Sequence, residues 1–168
     1  ECIPKSDDKH EGRMLYEFLH MEDPDIVSLL RFSNKSDLIE FLEDDEYLEK
    51  FDYIHFSGHG KGARTDSPYF RLPRGHMSSS DFPEGCFDGK RVAFSACELG
   101  RNAFVRPFKD QTGAESVIAP QREILFTDAA VWFTNYYYFL LNPTTMDTTA
   151  FERTQAGLKP YVRGAFQY

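Results

Sequence analysis

Two short apolar runs in this chain each stop at a side chain that can do chemistry. Tyr53-Ile54-His55-Phe56 leads into Ser57-Gly58-His59-Gly60, and Val92-Ala93-Phe94 leads into Ser95-Ala96-Cys97. Short apolar runs rich in aromatic and β-branched residues and bounded by Gly read as buried strands. In an open parallel sheet, ligands bind outside the carboxyl ends of the strands. A His and a Cys delivered there by two strands are placed as base and nucleophile. Their separation, 97 − 59 = 38 residues, is enough for a crossover from one strand to the next.

The rest of the chain supplies the alternation such a sheet needs. Residues 12–20 carry Met14, Leu15, Phe18 and Leu19 at helical spacing, and Pro24 stops them. Ile26 to Phe32 reads as a strand. Ser36 is the expected cap of a helix in which Leu38, Ile39 and Leu42 share a face. The acidic run Asp44, Asp45, Glu46 and Glu49 reads as a solvated helix end. Residues 61–90 are punctuated by Gly and Pro; Tyr69–Leu72 and the residues after Gly75 are expected to form a hairpin, and Ser78–Asp81 a helical turn. This long connection leaves the sheet edge directly after His59, so it is expected to border the cleft. Beyond Cys97, a helix over 100–110 contains Pro107, a strand covers 115–119, and Thr127 caps a long aromatic helix. A last helix covers 149–158, with an edge strand or a tail over 161–168. Strand and helix alternate as in an α/β fold with a mostly parallel sheet flanked by helices, in one domain spanning 1–168.

Composition closes off several classes of function. Net charge is 19 − 27 = −8, the wrong sign for a nucleic-acid-binding surface. No apolar run approaches the roughly 18 residues of a membrane helix, and residues 1–10 lack the apolar centre of a signal peptide. Three cysteines, Cys2, Cys86 and Cys97, form an odd set that fits a reducing cytoplasm better than a disulfide framework. No cofactor is expected. A zinc site from His55, His59 and Cys97 lacks both finger-type spacing and an evident fourth ligand.

The chemistry needs two groups. A thiolate is a far better nucleophile than a thiol. A neighbouring imidazole can take the proton and later return it to the leaving amine. Gly60 has no side chain, so its N–H can approach a substrate closely and, with the Cys97 N–H, form an oxyanion hole. The bland readings are a buried inert Cys97 and a turn histidine at 59. His55 lies four residues before His59, so both can point to one face; it reads as structural or as a residue that orients the base. Glu98 reads as an exposed acid at a helix start, and Cys86 as incidental.

His-Phe-Ser-Gly-His-Gly followed by Ser-Ala-Cys-Glu-Leu-Gly resembles the CHAT proteases, caspase-like cysteine peptidases related to separase. The resemblance extends over Gly113–Ala119, Thr127–Ala130, Tyr136–Leu140 and Ala150–Gln155, covering roughly residues 50–158. One departure is Pro120-Gln121, where many CHAT sequences have a Trp after the strand. The resemblance implies a caspase-like three-layer fold and a Cys97–His59 dyad with Gly60 and Cys97 at the oxyanion. It also implies a regulated endopeptidase of a protein substrate, in bacteria often tied to antiviral defence or cell death. Activation would come from a partner protein, from self-association or from a larger parent chain. The competing class is a silent interaction module that keeps the fold. Side-chain preference at the cleavage site is open among Asp66, Asp81, Asp128, Arg101 and Arg122.

Overall fold

A computed structural model describes residues 1–62, 67–158, 162 and 166–168. The two apolar runs are strands: β1 (Tyr53–Ser57) and, after the hairpin region, β5 (Arg91–Ser95). They pair in parallel, Ser57 opposite Ser95, and β5 pairs in parallel with β6 (Ser116–Pro120). A short β7 (Phe166–Gln167) adds antiparallel to β6, giving the order β1-β5-β6-β7. A separate antiparallel sheet joins β2 (His59–Lys61), β3 (Tyr69–Arg71) and β4 (His76–Ser78). The expected hairpin is therefore present, and a 3-10 turn over Ser79–Asp81 follows it, capped by Ser78.

Six helices flank the sheet among the described residues: α1 (Glu11–Glu22), α2 (Lys35–Leu42), α3 (Asp45–Leu48), α4 (Asn102–Thr112), α5 (Phe126–Leu140) and α6 (Asp147–Leu158). Alternation along the strands sends side chains to two cores. Val92 and Phe94 join Phe56, Phe70, Phe82 and Phe108 on one face. Ala93 and Ile118 face Trp132, Phe133, Tyr136 and Leu15 on the other. Phe56 stacks on Phe94 at 4.9 Å between ring centres, tying β1 to β5 by side chains as well as by the ladder. The result is an α/β architecture with helices on both faces of a mostly parallel sheet. No helix among the described residues is long and apolar enough to cross a membrane.

Several expectations shift. Ile26–Phe32 is not a strand: Pro24–Ile26 is a 3-10 turn and the chain then runs irregularly to Asn34. Among the described residues, Glu1 alone bonds its backbone from another element, too little for a ladder. Asn34, not Ser36, caps α2 through the Asp37 N–H. Leu125, not Thr127, holds the cap position of α5, and Thr127 lies in the first turn. Pro107 is accommodated inside α4.

Candidate active site

The register of β1 and β5 positions His59 and Cys97. His59 and Cys97 each follow the paired Ser57 and Ser95 by two residues, and the Gly58 N–H donates to the Ser95 carbonyl at 3.2 Å. Gly60 packs directly against Cys97: a Cβ there would lie 2.2 Å from the Cys97 carbonyl oxygen. Only glycine fits such an approach. The structure thus brings the segments 58–60 and 97–99 into contact at the carboxyl edge of the sheet.

The Cys97 sulfur and the His59 ring each have other partners. Cys97 is half-buried, and its Sγ donates to the Ile124 carbonyl (3.5 Å) and accepts the Ile124 N–H (3.4 Å). Burial pushes its thiol pKa up; the N–H groups of Ile124 and of Cys97 itself pull the other way, while Glu123 and Glu98 add to the rise. His59 points its Nε2 at Asp7 Oδ2, 3.5 Å away, and its ring meets Phe126 edge to face. Among the described residues, no hydrogen bond joins His59 to Cys97.

His59 lines an open cleft of about 530 Å³ with Asp7, Asp8, Lys9, Arg71 and Pro73. The hairpin thus borders this cleft, as its departure from the sheet edge implies. Cys97 lies outside its lining.

His55 departs from the same-face expectation. β1 ends at Ser57, and the chain breaks at Gly58, where a Cβ would meet the Phe70 ring at 2.7 Å. His55 stays under the sheet, with Nδ1 2.9 Å from the Tyr137 hydroxyl and Nε2 3.6 Å from Glu11. Phe133 packs on its ring. It reaches neither His59 nor Cys97 and supports the core. Among the described residues no group of three or more His, Cys, Asp or Glu is arranged to hold a metal ion.

Glu98 is buried rather than exposed. It sits at φ 67°, the left-handed region, which costs a non-glycine residue about 1–3 kcal/mol. Its carboxylate repays part of this by accepting the Gly62 N–H at 3.0 Å and lying 3.5 Å from Arg101. It thereby fastens the turn after Cys97 to the chain leaving β2. Arg101 also donates to the Gln121 carbonyl. Asp81 is bound to Lys35 at 2.6 Å and to Ser78. Burial would raise its pKa, yet these bonds together hold it below the usual carboxylate range. Asp66 lies outside the described residues, Arg122 is exposed and Asp128 is half-buried.

Asp7 and Ile124 had no sequence signal. Asp7 sits in a polar run without period, and Ile124 acts through its backbone. No protein-family model matches the chain, and no curated protein matches it significantly.

Proposed function

We propose that this chain is a cysteine endopeptidase of the caspase-like CHAT type, acting on a protein substrate through Cys97 and His59. The observation that carries the reading is the contact of Gly60 with Cys97, which puts the two motif loops side by side at the sheet edge. In the reaction, the Cys97 proton passes to His59 and Sγ bonds to the scissile carbonyl carbon. The oxyanion faces the Gly60 and Cys97 N–H groups, a contribution of about 3–4 kcal/mol in other hydrolases. His59 then protonates the amine as the C–N bond breaks. A water, losing its proton to His59, attacks the acyl-enzyme; the C–S bond breaks and the thiol is restored. Asp7 beside Nε2 leaves Nδ1 to face the sulfur.

The present arrangement is a resting one in this reading. Cys97 must leave Ile124 by a side-chain rotation before it meets His59. A partner protein or self-association that binds the assembled form better would supply that shift, in keeping with a regulated protease of bacterial defence or cell death acting in the cytoplasm. The second reading, a catalytically silent interaction module, draws on the same separation of His59 from Cys97 and on the raised thiol.

A diverse peptide pool, incubated with the wild-type chain and with Cys97→Ala at several protein concentrations, separates the two. The protease reading expects cleavage that rises with concentration or with a partner and falls to background in the variant, whose far-UV CD and melting stay native. Cleavage of equal rate in Cys97→Ala would overturn Cys97 as the nucleophile, and no cleavage under any condition selects the silent module.

A further inference from the structure

The segments that carry Gly60 and Cys97 belong to different sheets. Gly60 lies in β2, whose ladder partner is β3, and Cys97 follows β5 of the main sheet. Among the described residues no ladder joins β2 to β5. An oxyanion hole built from the Gly60 and Cys97 N–H groups therefore takes one donor from each sheet, and both must aim at one point to act together. A contact outside the ladders has to fix that aim.

Glu98 spans the join. Its backbone is pinned to the main sheet: the Glu98 N–H donates to the Arg122 carbonyl at 3.2 Å, and the Gly100 N–H to the Pro120 carbonyl at 2.9 Å, at the end of β6. Its carboxylate reaches the other sheet, where Oε2 accepts the buried Gly62 N–H at 3.0 Å, one residue past β2. Residues two apart along a strand turn their N–H groups the same way. The Gly60 N–H thus faces the side on which Gly62 finds Glu98. Arg101, itself bonded to the Gln121 carbonyl, lies 3.5 Å from the other carboxylate oxygen. This residue type carries two penalties. Glycine adopts the left-handed backbone at φ 67° freely, whereas glutamate does so under strain. A carboxylate on a residue only 7% exposed also gives up most of its hydration. Glycine would make the turn without either penalty, but it could not accept the Gly62 N–H.

We infer that Glu98 is a positioning residue for the reaction: it holds the Gly60 and Cys97 N–H groups in register across the two sheets, so that both reach the same oxyanion. The inference rests on the cysteine-peptidase reading above. Glu98 acts through the two backbone donors, not on the substrate.

The test compares two variants with the wild-type chain on a peptide that the wild type cleaves. Glu98→Gly relieves the strained backbone and removes the tie. Glu98→Gln keeps an oxygen for the Gly62 N–H. Glu98→Gly is expected to lose about 10²-fold in kcat, with KM within a few-fold and melting within a few degrees of wild type. Glu98→Gln should restore kcat to within a few-fold. Alkylation of Cys97 by iodoacetamide forms the C–S bond by displacing iodide and develops no oxyanion, so it should slow in neither variant. Wild-type kcat in Glu98→Gly, with Cys97→Ala inactive, would overturn the inference and leave the cysteine assignment standing. So would a Glu98→Gln as slow as Glu98→Gly, or a Glu98→Gly in which alkylation slows as much as cleavage, since the loss would then lie in the thiol or the fold. Absence of Cys97-dependent cleavage in the wild-type chain would remove that assignment and this inference with it.

Discussion

His55 and His59 stand four residues apart in one run, yet the fold gives them opposite surroundings. His55 is held under the sheet between Tyr137, Glu11 and the Phe133 ring, with a side chain 16% exposed. His59 is 37% exposed at a cleft, with one carboxylate loosely against it. A group whose neighbours are packed shut contributes to stability, because breaking its contacts strands buried polar atoms. A group at an open edge with a single weak partner is free to exchange that partner for a substrate or a thiol. The two environments, not the residue type, separate a structural histidine from a candidate base.

Paired substitutions test that separation most strongly. His59→Ala is expected to cut peptide cleavage by about 10²–10⁴-fold, the usual weight of a positioned base, with little change in melting. His55→Gln should do the reverse. It removes the ring that pairs with the buried Tyr137 hydroxyl and packs on Phe133, and costs about 1–3 kcal/mol of stability, while turnover changes only a few-fold. Activity assays and thermal melts on both variants check this. Loss of activity in His55→Gln with full stability would join the two histidines in one site.

Next in size is the contact that holds the edge together. In Gly60→Ala the new methyl would sit 2.2 Å from the Cys97 carbonyl oxygen, so backbone must move. A displacement approaching 1 Å at a reacting centre costs on the order of 10²-fold in rate. Gly157→Ala, where nothing lies within 4 Å, is the control: a helical Gly→Ala change should stabilise by about 0.4–1 kcal/mol and leave turnover alone. Equal activity in both would separate the two loops functionally.

Asp7→Asn should act more gently. It removes the charge beside His59 Nε2 but keeps the shape. The carboxylate lies 3.5 Å from Nε2 at a partly exposed edge, where an ion pair contributes roughly 0.2–1 kcal/mol, a few-fold in rate. The change should fall on kcat rather than KM. A loss confined to melting temperature would make Asp7 merely structural.

How far these features are visible in the residues follows from how local their causes are. β1, β5, β6 and the hairpin are written in contiguous apolar runs and Gly/Pro punctuation, so their positions are legible. The contact of segments 58–60 and 97–99 follows from the parallel register of β1 and β5. The strand end at Gly58 is legible from the glycine itself; the Phe70 ring packed against it is not, because it arrives from a strand more than ten residues later. The run Ile26–Phe32 has a strand's composition, but a ladder depends on a neighbour the run itself does not encode. Glu98 looks like a surface acid until its partners, Gly62 and Arg101, are known.

The smallest expected effect compares the three thiols across these same environments. Cys97 is half-exposed, whereas Cys2 and Cys86 are buried. Burial raises the Cys97 pKa and pushes Cys2 up to about 11. For Cys2, the folded state holds its proton more tightly than the unfolded chain does. Its contribution to stability is complete below the unfolded thiol's value and is lost as pH climbs toward about 11. Below that range, iodoacetamide should modify Cys97 alone. Because its thiolate is a minority species, the rate should rise about tenfold per pH unit from pH 6 to 8. Peptide mapping across that range is the measurement. A rate flat between pH 6 and 8 would mean that a thiolate–imidazolium pair is already assembled, against the resting geometry in which Ile124 holds the sulfur and Asp7 holds the base. Early labelling of Cys2 would mean that the segment between β1 and residues 30–32 opens readily, and would mark that end of the sheet as its least stable part.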